Sequence, residues 1–166
     1  MAPAQNPPSP SARLAELGLT LPTVVNPIGR YTPALRVGDL VYTSGQLPMA
    51  DGRLTAIGKV AEGAAGVVSP EEATAAARQC ALNALAAIDA VVGLDSVVQV
   101  VKVVGFVASA PGFSAQPAVV NGASDLLGEI FGEAGVHARS AVGVAELPLG
   151  AAVELELIVQ VEGAQR

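Results

Sequence analysis

The chain has no tryptophan, one histidine, one cysteine, three phenylalanines and two tyrosines. Each scarcity removes a class of chemistry. A single cysteine, Cys80, excludes an intramolecular disulfide and suits a reducing compartment. With His137 as the sole histidine, a Ser-His-Asp or Cys-His triad would have to be assembled around one imidazole, and no Asp or Glu stands beside it in a recognisable motif. No cysteine pair, second histidine or HExxH run exists to hold a transition metal, so no metal site is expected. No GxGxxG or phosphate-loop run follows a strand. The Gly63–Gly66 stretch lacks the Lys-Ser/Thr that a phosphate cradle needs and reads as surface loop. Hydride transfer, phosphoryl transfer and zinc hydrolysis are all disfavoured.

Charge is scarce too. Charged residues make up 14% of the chain, against about 25% in a typical soluble domain, and hydrophobic residues 51%. A monomer this poor in charge has difficulty covering its surface, so part of the apolar excess is expected in a subunit interface. The net charge of −6, with nine basic residues scattered from Arg13 to Arg166, argues against nucleic acid. No signal-peptide pattern opens the sequence. The longest apolar run, 97–110, is broken by Gln99, Lys102 and Gly105, so no membrane partner is expected. The expectation is a soluble, cytoplasmic protein.

At 166 residues the chain suits one domain. Residues 1–12, rich in Pro, Ala and Ser, are expected to be a disordered tail, with a single domain over 13–163. Arg13 to Leu19 has the residues for one or two helical turns. Two β-rich runs, 34–37 and 40–44, flank a tight Gly38-Asp39 turn. A further strand is expected from Gln46 to about Ala50, turning at Asp51-Gly52, and residues 58–68 read as a Gly/Ala-rich loop. Ser69-Pro70-Glu71-Glu72 is a helix start, with Ser69 as cap, Pro70 in the first turn and Glu72 closing a capping box. Ala73, Ala77, Cys80, Ala84, Ile88 and Val91 then repeat at helical spacing up to Gly93, which places Cys80 in the core. Residues 97–108 read as a central strand and 116–132 as a second helix. The order is that of an α+β fold, with helices on one face of a mixed sheet.

The final stretch, 137–156, is the most informative. It reads as two alternating strands joined by a Pro/Gly turn. In the last strand Val153, Leu155, Leu157, Val159 and Val161 share the core face. A hairpin pairing puts Glu154 opposite Ala145 and Arg139 opposite Gln160. Arg139, Ala141, Gly143, Ala145, Glu154 and Glu156 then all face away from the helices. Arg139 and Glu154 would lie roughly 20 Å apart along the strands, at about 3.4 Å per residue. If both serve one site, they must come from neighbouring subunits. Residue types alone leave two readings of Arg139 open, an anion receptor or a salt bridge to an acid of its own subunit.

Three runs carry a resemblance: Asn26-Pro27-Ile28-Gly29-Arg30-Tyr31, Val41-Tyr42-Thr43-Ser44-Gly45-Gln46-Leu47-Pro48, and Ala138-Arg139-Ser140-Ala141-Val142 with Leu147-Pro148 and Val153-Glu154-Leu155-Glu156. Together they resemble the RidA/YjgF family, formerly called endoribonuclease L-PSP-like, over residues 26–161. The resemblance implies a chorismate-mutase-like α+β fold, a mixed sheet of about six strands with two helices on one face, and a homotrimer with clefts between subunits. It also implies hydrolysis of reactive enamines and imines, such as 2-aminoacrylate, to 2-keto acids and ammonia, with no cofactor. In such enzymes the residue matching Arg139 grips the substrate carboxylate and that matching Glu154 is associated with the water. Residues matching Tyr31, Ser44 and Gly45 line the pocket, and Asn121 lies near a family asparagine. Archetypal members often have a cysteine where this chain has Ala141. The chain also has a longer Pro-rich N-terminus and an enlarged 55–68 region, features of a divergent subgroup. A non-catalytic small-carboxylate-binding trimer of the same fold is the alternative function. The acidic charge makes ribonuclease activity a poor third.

Overall fold

The computed structural model describes residues 8–24, 29–63 and 67–163. Residues 26–28 of the first matching run, the first seven of the tail and part of the glycine-rich loop lie outside them. The elements are α1 (Pro10–Glu16), β1 (Ala34–Val37), β2 (Leu40–Thr43), β3 (Met49–Ala50), β4 (Arg53–Leu54), α2 (Pro70–Val92), β5 (Val97–Ala108), α3 (Gln116–Phe131), β6 (Ala138–Val144) and β7 (Val153–Val161).

The local signals produce what they dictate. Ser69 accepts from the Glu72 amide while the Glu72 carboxylate accepts from the Ser69 amide, so the capping box closes and α2 starts there. Donation to its carboxylate from the Ser69 amide and hydroxyl holds the Glu72 carboxyl below its ordinary pKa. Gly93, at φ 79, ends the helix in a conformation that glycine adopts without strain. The small-sided face of α2, from Ala73 through Ala77, Cys80 and Ala84 to Ile88, is fully buried. α2 is also long and apolar enough to cross a membrane, but it is the core helix of this domain. Ser9 caps α1, which begins at Pro10, inside the stretch expected to be disordered, and packs on α3.

The main sheet has five strands in the order β1-β2-β7-β5-β6, and β3 and β4 form a separate two-stranded ribbon. Three helices, rather than two, accompany it. The expected Gln46–Ala50 strand is reduced to a single bridge, Gln46 to Leu155, followed by the short β3. Antiparallel pairing joins β1 to β2, β2 to β7 and β7 to β5, whereas β6 runs parallel to β5.

The expected β6–β7 hairpin does not form. β5 lies between the two strands. β5, α3 and β6 make a strand–helix–strand unit, and a crossover helix of this length is what parallel neighbours require. The eight residues from Ala145 to Ala152 then carry the chain past the end of β5 instead of turning back on β6. This pairing reverses the expected face of Arg139. In the parallel register Arg139 pairs with Val103 and Ala141 with Gly105, both on the buried, helix-side face of β5. On β7 the expected faces are correct: Val153, Leu155, Leu157 and Val159 are wholly buried, and Glu154 and Glu156 point the other way. Among the described residues no helix covers that second face. It carries Tyr42, Val104, Phe106, Val142 and Ile158 among its polar groups, with Tyr42 and Val142 41% and 43% exposed.

Candidate functional site

Arg139, near the start of the edge strand β6, reaches toward α3. Its Nη1 donates to Asn121 Oδ1 at 2.8 Å and to Ser124 Oγ at 3.0 Å, and its Nη2 donates to the Pro117 carbonyl at 3.2 Å. Guanidinium has five N–H groups. Three are held by neutral acceptors, which leaves Nε–H and one Nη2–H for something else. The ion pairs among the described residues are Arg13–Glu16, Lys59–Glu146 and Arg78–Glu129, and none involves Arg139. The salt-bridge alternative therefore has no support among the described residues. Arg139 is an uncompensated, orientated cation with two donors to spare, the arrangement that accepts a carboxylate.

The holding residues come from successive turns of α3. Pro117, Asn121 and Ser124 stand four and three positions apart, along one flank of the face that buries Val119, Val120, Ala123, Leu126 and Leu127. Asn121 is thus brought to Arg139. Ser124 was not foreseen, although its helical spacing from Asn121 was visible. His137 immediately precedes β6. Its Nδ1 is 2.6 Å from the Gly135 carbonyl and its Nε2 is 3.0 Å from Ser124 Oγ. A carbonyl only accepts, so Nδ1 carries the ring proton in the neutral tautomer that satisfies both contacts, and Nε2 accepts from the Ser124 hydroxyl. Arg139, Ser124, His137, Gly128, Gly135 and Val136 surround an open cavity of about 320 Å³.

Glu154 belongs to a different environment. It is half-buried on the uncovered face of β7, beside the backbone of Gly45, where a Cβ would overlap its carboxylate. Burial raises its pKa first, and the charge of Glu156 raises it further. A carboxyl so placed holds its proton at higher pH than an ordinary one, which suits acid–base work. Gly45 follows Ser44, whose Oγ donates to the Thr32 carbonyl at 2.6 Å, while its amide donates to Pro33. Both bonds tie the segment carrying Tyr31 to the end of β2. Tyr31 is 61% exposed, with its ring against Gly29.

The structure therefore gathers the expected residues into two groups rather than one. Arg139 and Asn121 stand at the helix-side edge of the sheet, and Gly45 and Glu154 at its other side, with Ser44 next to Gly45 and bonded to Thr32, the residue after the exposed Tyr31. Ala141 belongs to neither, since its side chain packs against the hydrophobic core. The along-strand separation expected from a hairpin does not apply. Instead, two strand spacings and the sheet itself divide Arg139 from Glu154. Cys80 is fully buried near Glu154, and both burial and that charge push its thiol pKa well up, so it is an inert core residue. Among the described residues no group of acids, histidines or cysteines could hold a metal ion.

The family described as "YjgF/chorismate mutase-like, putative endoribonuclease" matches residues 11–161. The chain belongs to the YjgF family. Protein TCP17 of Trypanosoma cruzi is 44% identical over 153 residues, covering 90% of this chain and 92% of that protein. A 2-iminobutanoate/2-iminopropanoate deaminase of Dermatophagoides farinae is 35% identical, covering 87% of this chain and 95% of its own. The crystal structure of a protein of unknown function from Agrobacterium tumefaciens superposes with a TM-score of 0.81 at 42% identity, covering 92% of each chain. The family match spans nearly the whole α+β domain.

Proposed function

We propose that this YjgF-family protein hydrolyses reactive enamines and imines of amino-acid origin to 2-keto acids and ammonia, in clefts between the subunits of a homotrimer. The observation that carries the reading is Arg139, held by Asn121, Ser124 and Pro117 with two N–H groups left and no acid partner among the described residues. The name of the Dermatophagoides farinae relative supports the same chemistry.

The division of residues motivates the trimer. One chain offers an anion receptor at one sheet edge and a proton-holding carboxyl on the opposite face, so a complete site takes Arg139 from one subunit and Glu154 from its neighbour. The uncovered face, with Tyr42 and Val142 exposed, is where copies would pack. In the cleft, Arg139 grips the substrate carboxylate and thereby fixes the adjacent C=N carbon. The protonated Glu154 gives its proton to the imine nitrogen, and water adds to the carbon. The resulting carboxylate then takes a proton from that water. The carbinolamine collapses by losing ammonia, which leaves the keto acid.

The test is keto-acid release from enzymatically generated 2-aminoacrylate or 2-iminobutanoate, with Arg139→Ala measured alongside. Acceleration over the spontaneous rate that Arg139→Ala abolishes is expected. An unchanged rate would sink the deaminase reading. Carboxylate binding without turnover would favour the non-catalytic binding trimer.

A further inference from the structure

Gly128 stands in the interior of α3, where glycine is the least favourable ordinary residue, and nothing in the packing asks for it. A Cβ there would meet no atom within 4 Å. Nearby glycines differ. A Cβ on Gly122 would run into the Thr74 carbonyl, and one on Gly135 into the carbonyl of Leu127. Those two are required by close backbone approach, and Gly128 is not. Exposed itself, it lines an open depression of about 320 Å³ beside Arg139, together with Ser124, Gly135, Val136 and His137.

The polar groups around that cavity satisfy one another. Both nitrogens of His137 are engaged, and the Ser124 hydroxyl accepts from Arg139 while facing His137 Nε2. Apart from the spare N–H groups of Arg139, the wall presents Val136, two glycines and an imidazole whose ring nitrogens are occupied. A hydrogen-bonding side chain would find no side-chain partner there beyond Arg139. An apolar one loses nothing.

The geometry points to Gly128 as a specificity-determining residue: the cavity it keeps open receives the side chain of a 2-imino acid with a branched or aromatic apolar group. This inference rests on the carboxylate reading of Arg139. A carboxylate on the remaining N–H groups of Arg139 stands at the rim, and the side chain enters between α3 and the segment 135–137. His137 and Ser124 act as positioning residues that hold the wall and the guanidinium together.

Binding of 2-oxo acids, the stable products of such a reaction, separates this inference from the question of turnover. Calorimetry on the full chain should show 4-methyl-2-oxopentanoate held about tenfold or more tighter than pyruvate, since burial of a leucine-sized group supplies at least that factor. Gly128→Leu should bring the two within about twofold of each other while leaving pyruvate within about twofold of its original affinity. Gly128→Ala should melt at or above the unsubstituted protein, as expected of a helix position with free space around it. Equal affinities in the unsubstituted protein, equal weakening of both acids by Gly128→Leu, or a lower melting temperature for Gly128→Ala would each overturn the pocket and leave the Arg139 reading standing. Failure to bind either acid would overturn both. Tight, size-selective binding with no imine turnover would support the pocket and remove the deaminase reading alone.

Discussion

The two groups of site residues are built on opposite principles. Around Arg139, the structure surrounds a permanent charge with neutral acceptors on α3, so the cation is fixed in direction but not cancelled. Around Glu154, the structure half-buries a charge that can be removed, and sets Glu156 on the same strand face to discourage ionisation. The first arrangement suits binding and the second suits proton transfer. The difference implies that the two halves should fail differently: damage to the Arg139 group should appear in affinity, and damage to the Glu154 group in turnover.

The largest effect is expected at Glu154. Glu154→Gln should lower kcat by about 10²–10⁴-fold, the usual worth of a positioned acid–base group, with carboxylate affinity little changed. Steady-state kinetics beside 2-oxo-acid binding would show the split. Its pKa also fixes the sign of a stability effect. Because burial and Glu156 raise the folded pKa above the unfolded value, the protonated form is favoured in the fold, and that contribution is lost as pH rises through the raised pKa. Glu154→Gln should therefore melt higher than the unsubstituted protein at neutral pH. Thermal melts should converge as pH falls below the ordinary carboxylate range.

Next comes Arg139. Arg139→Ala should cost about a hundredfold in affinity for 2-oxo acids, and Arg139→Lys should recover little because an ammonium lacks the fork. Asn121→Asp sharpens the comparison further, since it places a carboxylate where Nη1 now donates to an amide oxygen. It should weaken anion binding about tenfold or more, while Asn121→Ala, which removes one neutral acceptor, should cost about fivefold. Calorimetry ranks the four. Equal effects of Asn121→Asp and Asn121→Ala would contradict the uncompensated-cation account. Gly45→Ala belongs to the other half. Its Cβ would displace the Glu154 carboxylate, so kcat should fall and 2-oxo-acid affinity should hold. The smallest effect is expected away from both groups. Ser69→Ala breaks the capping box of α2 and should cost about 1 kcal/mol in denaturant melts, with neither half-site affected.

What the sequence disclosed follows the range of each interaction. The capping box at Ser69–Glu72 and the glycine stop at Gly93 are local, and both are where the residues place them. The alternation along β7 is also local and assigns its faces correctly. Strand partners are not local. The Pro/Gly turn between β6 and β7 suggested a hairpin, whereas the helix between β5 and β6 carried the deciding information, since a strand–helix–strand run favours parallel neighbours. The observed pairing turns Arg139 toward α3 and leaves Ala141 partly buried against the core. If Arg139 and Glu154 serve one site, a neighbouring subunit is still required, because an intervening strand and opposite faces, rather than distance along a hairpin, divide them. Ser124 escaped notice because a serine on a helix carries no signal of its own until Arg139 is known to face that helix.

The most direct test of the shared cleft mixes the two kinds of damage. Arg139→Ala and Glu154→Gln subunits, each inactive alone, are co-expressed and the mixed oligomers assayed for imine hydrolysis. A site that draws Arg139 from one subunit and Glu154 from its neighbour is intact in about a quarter of the positions in randomly mixed trimers, so about a quarter of the normal activity should return. Mixed oligomers as inactive as either parent would contradict the account.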